Sequence, residues 1–451
     1  MLRYSCSAKK TDKRALHHQS AGLPTRRLRP SGLESLESDR SLRLPVHHNP
    51  LQSSCWFSAP LVGNFWLTYK IEMRVTLTAR QARVKRIAVR RNASAEPNTR
   101  DVRTVEHALS IYTRRIKTMA QGFTICVGTV GAGVWFSPDG GDHWRRSKMA
   151  LPFHHEPGEI QIRSLSVSPH NPHHLLAGSE AGLYRSNDNG ATWELVDSPM
   201  DGMQIWSTSW HPASPEVLLA GTKPPNVFRS RNAGKSWEKL TVPIAKECFA
   251  GAPKVTNIVV DPDDSQTLWV GVEIDGVFVS RDDGETWTHL PPLGDKPINQ
   301  DIHGLAVGVN GARRIVATTP DGIWTSTDEG QHWSLHGFPR FAERDTISYC
   351  RGVTLKPGNP DVMFIGNGDF IPGKRGAIQR TVDGGKTWNA CKLPVEPNSV
   401  VYWIATHPAD PNVVVASSLH GYLYTSGDGG ESWQKNRREF GEIRAIAWVP
   451  N

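Results

Sequence analysis

From Phe123 onward, apolar and polar residues alternate in short runs separated by glycine, proline, asparagine and aspartate. Ile162-Arg163-Ser164-Leu165-Ser166-Val167 is one such run and ends at Pro169. His170-Asn171-Pro172 reads as a turn, and Leu175-Leu176-Ala177-Gly178 as a second strand. Glu180-Ala181-Gly182 turns into a third strand, Leu183-Tyr184-Arg185, and Trp193-Glu194-Leu195-Val196 is a fourth. A period of two over short stretches, punctuated by turn formers, predicts half-buried antiparallel strands.

The pattern repeats as a unit. Ser/Thr-x-Asp/Asn-x-Gly-x-x-Trp occurs seven times, at Ser137–Trp144, Ser186–Trp193, Ser230–Trp237, Ser280–Trp287, Ser326–Trp333, Thr381–Trp388 and Ser426–Trp433, with tryptophans 44 to 55 residues apart. A period of this length signals an array. Each copy lies between two strands, so it is a hairpin connection. Its Asp139, Asp188, Asn232, Asp282, Asp328, Asp383 or Asp428 is placed to accept turn amides, and the Ser or Thr hydroxyl to add a local hydrogen bond. The glycine suits a positive φ, and the Trp covers the turn with a large apolar plate. These acids read as structural rather than calcium-binding or catalytic, because an active site is not repeated seven times in one chain.

This motif is identified as the Asp-box, or bacterial neuraminidase repeat. It resembles the boxes of sialidases, xyloglucanases, sortilin-type receptors and propeller-type photosystem II assembly factors. The resemblance covers about three quarters of the chain. It implies an all-β fold: a single seven-bladed β-propeller of four-stranded antiparallel blades. The first repeat has only three strands before Leu151-Pro152, and the chain ends on a lone inner-type strand from Glu442 to Val449. That strand is expected to complete the first blade and close the ring, removing exposed sheet edges. The remaining inner strands are expected near Gln204, Lys254, Gln300, Ser348 and Val400. The longest insertion, Gly366 to Gly376 in blade six, is expected on the face opposite the boxes.

Charge divides the chain. Residues 1–118 hold 23 Lys/Arg against 8 Asp/Glu, and residues 119–451 hold 29 against 36. The repeat domain, 119–451, is thus mildly acidic, and the overall basicity does not point to nucleic acid. Residues 1–118 read as a mostly disordered basic extension, with a short helix expected over Val102 to Lys117. Three readings stand: a disordered tail, a targeting peptide, or sequence upstream of a later start at Met119, of which the last is favoured. The six cysteines form no C-x-x-C pair and read as free thiols in a reducing, cytoplasmic setting. No apolar run reaches membrane-spanning length. A monomer without cofactor or metal is expected; the His pairs at 154–155 and 173–174 lack further ligands.

Aligning the inner strands places Arg163, Trp206, Thr256, His303, Arg351, Tyr402 and Arg444 in one ring at the channel mouth. The preceding position is apolar throughout: Ile162, Ile205, Val255, Ile302, Cys350, Val401 and Ile443. One position further out stand Gln161, Gln204, Lys254, Asp301, Tyr349 and Glu442. Three converging arginines suit a carboxylate or phosphate, and Trp206, Tyr402 and Trp403 are candidates to stack on a sugar. In the alternative, the arginines pair with Asp301, Glu442 and other acids to hold the blades in register.

Two functions follow. The first is a non-catalytic propeller binding a small anionic or carbohydrate ligand, or a protein partner, at the mouth. The second is a glycoside hydrolase of sialidase-like or xyloglucanase-like type, with Asp301, Asp369, Glu442 and Tyr402 as candidate catalytic groups. Sialidases resemble this chain in their boxes and in using an arginine triad with a Tyr/Glu pair. They are six-bladed, however, and carry a Phe/Tyr-Arg-Ile-Pro segment that Phe338-Pro339-Arg340-Phe341 does not reproduce.

Overall fold

The structure, a computed structural model, describes residues 122–150, 160–248, 251–342 and 347–451, together with the backbone of three strands nearer the N-terminus. Those strands, Leu51–Pro60, Trp66–Thr78 and Gln81–Arg90, form an antiparallel sheet within the segment expected to be mostly disordered. The helix expected over Val102 to Lys117 lies outside the described residues. The chain divides into two compact units, 1–94 and 95–451, and the second contains the repeats.

The repeats form seven antiparallel sheets arranged as propeller blades. Blade two is typical. Ile162–Val167 pairs with Leu175–Ser179, which pairs with Gly182–Ser186, which pairs with Thr192–Val196. It also gains a fifth strand, since Lys148–Met149 pairs in parallel with the outermost strand. The inner strands of blades three to seven are Gln204–Trp210, Val255–Val260, Gly304–Asn310, Tyr349–Lys356 and Val401–Thr406. Blade five starts later than its expected position near Gln300, because Pro297–Gln300 forms a 3-10 turn ahead of the strand. Proline at the first position presets such a turn.

Ile443–Pro450 pairs with Phe123–Thr129 and completes blade one, so the ring is closed by the chain's last strand. Packing then runs between blades. Cys126, Val134 and Ala445 of blade one share a core cluster with Ile162, Tyr184 and Trp193 of blade two. Such an arrangement makes every blade a wall of its neighbour's core.

Each box is a self-bonded turn. In blade two, Ser186 Oγ donates to Asp188 Oδ1 and accepts from Gly190 N–H at 2.9 Å. Asp188 Oδ1 accepts from Thr192 N–H at 2.8 Å, and Oδ2 from the Thr192 hydroxyl at 2.7 Å. Trp193 Nε1 donates to Gly190 O at 2.9 Å. The box glycine has positive φ in every copy, for example 82° at Gly190. So does the residue before it, including Asn189, Ala233, Asp283 and Glu329, which are not glycine. This second left-handed residue carries no sequence signature. The turn's dense hydrogen bonding offsets its strain.

Two outcomes are expected. Removing residues 443–451 strips Ile443, Ile446, Trp448 and Val449, all buried, each contributing about 1.5–3 kcal/mol. That total rivals the ~5–15 kcal/mol stability of a whole domain. The truncated chain should lose its near-UV circular dichroism and elute as aggregate; wild-type cooperative unfolding would count against ring closure. Second, hydrogen bonds from the Thr286 hydroxyl and amide hold Asp282 at about 2, and the His332 amide and ring do the same for Asp328. Both are lowered, so their stabilisation is present above the unfolded carboxylate value and lost as pH falls through about 2. The double variant Asp282→Asn/Asp328→Asn should melt below wild type at pH 7, with the gap closing near pH 2.

Candidate functional site

The inner-strand ring is built by a repeated backbone irregularity. In blade two the register with the second strand jumps from Ile162 to Ser164, leaving Arg163 unpaired. The same jump omits Trp206, Thr256, Tyr402 and Arg444, and in blade six both Arg351 and Gly352. A bulge re-aims the extra residue's side chain. His303 is the exception, standing just before its strand with its N–H bonded to Thr318 O at 2.9 Å. The preceding apolar residues, from Ile162 to Ile443, are all fully buried and lock the register.

Most ring residues bond to the residue two places earlier. Arg163 Nη2 donates to Gln161 Oε1 at 3.0 Å and Trp206 Nε1 to Gln204 Oε1 at 3.0 Å. Arg444 pairs with Glu442, and His303 Nε2 lies 3.2 Å from Asp301 Oδ2. Two acids absent from the expected ring complete it. Glu180 and Glu273 each follow directly on the second strand of their blade; Glu180 lies 4.0 Å from Arg163, and Glu273 pairs with Lys254. Their shared register place is the signal that would have found them.

Tyr402 sits at the centre of the arginines. Arg351 Nη2 donates to its hydroxyl at 2.5 Å and Arg444 Nη1 at 3.1 Å, and both guanidinium groups overlie its ring. Burial would raise the phenol, but the Arg351 and Arg444 charges outweigh it and hold Tyr402 below its usual value. Burial pushes Tyr349 up to about 12. Burial and then the Arg351 and Lys223 charges pull Lys254 down to about 7, while Asp301 opposes them. Burial and Arg351 lower His303, while Asp301 opposes them.

The expected stacking faces are differently placed. Tyr402 is buried, and Arg163 and Lys254 overlie the Trp206 ring at 4.5 and 4.1 Å. Trp403, next to the bulge, lines a separate apolar cavity with Leu165, Val353 and Ile446. Phe370, absent from the expected site residues, is 59% exposed on the blade-six loop, 6.2 Å from the Tyr349 ring. That loop is shorter than expected, because Gly366 to Gly368 and Gly376 are already paired in strands. Asp369 is not brought to the ring acids by any contact. Its Oδ1 accepts from the Lys374 and Arg375 amides at 2.9 and 3.2 Å and braces its own loop.

A closed ring of seven blades, each with a Ser/Thr-x-Asp/Asn turn and a polar channel mouth, defines a β-propeller of the neuraminidase-repeat kind. The family model described as sortilin, neurotensin receptor 3, matches residues 181–291 and 323–448, more than half of the chain. The chain belongs to this Sortilin-Vps10 family. A probable oligoxyloglucan-reducing end-specific xyloglucanase of Neosartorya fischeri is 23% identical over 300 residues, 54% of this chain and 36% of that protein. A Bacteroides fragilis sialidase is 28% identical over 169 residues, 36% of this chain and 27% of its own length. The chain therefore spans about a third of the length of these curated relatives. Among solved structures, the Xanthomonas campestris GH74 xyloglucanase superposes with a TM-score of 0.54 at 20% identity, over 73% of this chain and 52% of that one. That likeness concerns the fold.

Tyr402→Phe should lower the melting temperature by several degrees, since it leaves donors of buried Arg351 and half-buried Arg444 without their acceptor, at about 1–3 kcal/mol. Differential scanning calorimetry checks this; an unchanged transition would mean that the hydroxyl does not hold the arginines.

Proposed function

We propose that this propeller is carbohydrate-directed, and that its channel mouth takes a glycan bearing a carboxylate. The observation that carries the reading is Arg351. It is only 5% exposed, and among the described residues it forms no ion pair within 4 Å. Its Nε has no hydrogen-bond partner. A buried guanidinium with no carboxylate in direct contact is costly, since Asp301 acts on it only at longer range; a carboxylate ligand would supply that contact. Arg163 and Arg444 stand in the same ring, and Phe370 offers an exposed ring face on the adjoining loop.

Cleavage of the bound glycan is the second reading. The names of the xyloglucanase and sialidase relatives support it over a purely passive role. Hydrolysis takes two carboxyl groups roughly 5–5.5 Å apart for retention or 6.5–9.5 Å for inversion. Asp301 and Glu442 are the candidates, because Asp369 is engaged in its loop.

Calorimetric titration with sialic acid, glucuronate and neutral xyloglucan oligosaccharides tests the binding reading. Arg351→Lys, which keeps charge but loses the planar fork, should weaken carboxylated sugars at least tenfold and leave neutral ones unchanged. Equal binding of all sugars by both proteins would refute acid recognition. Assay of reducing-end release on the same panel tests cleavage, with activity expected to vanish in Asp301→Asn. No product from any glycan removes the hydrolytic reading alone.

A further inference from the structure

We propose that the channel mouth holds a divalent transition-metal ion on His303 Nε2, the Asp301 carboxylate and Glu273. One ligand atom from each of these three lies within 4.8 Å of the others. A Zn2+ ion with bonds of about 2.0–2.2 Å bridges such a set after small side-chain movements. Two blades supply it: Glu273 follows the strand Leu268–Val272, and Asp301 and His303 precede the strand Gly304–Asn310. No local spacing motif announces the site, because its ligands meet only when neighbouring blades pack.

The orientation of His303 is the first argument. Its Nδ1 lies 2.6 Å from the Cys350 carbonyl oxygen. A carbonyl only accepts, so Nδ1 carries the proton, and in the neutral ring Nε2 presents a lone pair. Nε2 lies 3.1 Å from Tyr349 Oη and 3.2 Å from Asp301 Oδ2. Two acceptors in this position repel unless a proton or a cation lies between them. An imidazole that donates its other N–H to a backbone carbonyl is also the usual arrangement of a metal-ligating histidine. The His303 side chain is 0% exposed, so water does not fill the gap from the histidine side.

Asp301 supplies the second argument. Its Oδ1 is buried and has no hydrogen-bond partner, a costly state for a carboxylate oxygen. Metal coordination satisfies it. The third argument is that Glu273 already holds a cation, the Lys254 ammonium. Lys254 also overlies the Trp206 ring at 4.1 Å, so it keeps a favourable contact when an ion takes its place at Glu273. An imidazole with two carboxylates favours zinc-like ions over Mg2+ or Ca2+, which prefer all-oxygen sets. Tyr349 Oη, 3.1 Å from Nε2, can donate to that nitrogen without metal or to a metal-bound oxygen with it.

The test uses the full chain, stripped with a chelator and titrated with ZnCl2 by calorimetry. One equivalent should bind at the mouth. Glu273→Gln and Asp301→Asn should each weaken it at least tenfold, while His173→Ala, at an exposed turn histidine, leaves it unchanged. Cobalt substitution should give a visible d–d band that Asp301→Asn abolishes. Melting curves of the metal-free variants show whether each folds; if Asp301→Asn does not, Glu273→Gln decides. No zinc binding, or binding indifferent to both substitutions, overturns the proposal, as does an NMR signature of doubly protonated His303 persisting at saturating Zn2+. The arms report the metal alone, so their failure leaves the glycan reading intact.

Discussion

The pairing of Ile443–Pro450 with Phe123–Thr129 holds the whole arrangement in place. A row of blades has two open sheet edges and two half-built cores at its ends, whereas a ring has neither. Closure also fixes how far apart the inner strands stand. Residues 51 and 42 positions apart then face one another: Tyr402 of blade seven accepts from Arg351 of blade six and Arg444 of blade one. Without the last strand there would be no Arg444 at the mouth and no partner for the exposed edge of blade one.

Within the ring, a small backbone device converts structural strands into a polar mouth. The bulge places one side chain per strand toward the channel while the residue before it stays in the core. The arginines are then held in unequal ways. Arg444 has Glu442, Arg163 has Gln161 and Glu180, and Arg351 has phenolic contacts with the Asp301 charge acting at longer range. The outcome lies between the two expectations of a ligand-seeking triad and a set of interblade ion pairs. Burial makes the inequality matter, because an unpaired charge costs most where water is absent.

The boxes do a different job on the outer hairpins. Their acids are consumed by their own turns, and neighbouring blades read the turn through its backbone. Arg185 donates to Ala233 O in the next box, and Arg229 to Asp283 O. Both acceptors are left-handed residues, whose conformation turns the carbonyl outward toward the adjoining blade. The strain of that conformation is thus used to brace the ring, and function is left to the inner strands.

Local chemistry was legible in the amino-acid order alone. The seven turns, the strand alternation and the terminal strand that completes blade one follow from spacing and side-chain type. So does the ring of Arg163, Trp206, Thr256, His303, Arg351, Tyr402 and Arg444, because one buried apolar position sets its register. Partnership was not legible. Asp369 resembles a free acid in sequence, yet two amides of its loop claim it. Trp403 neighbours a mouth residue but lines a different cavity. The exposure of Phe370 and the bulges became visible only in three dimensions. Contacts between blades depend on ring curvature and depth of burial, and neither is a property of any local stretch of chain.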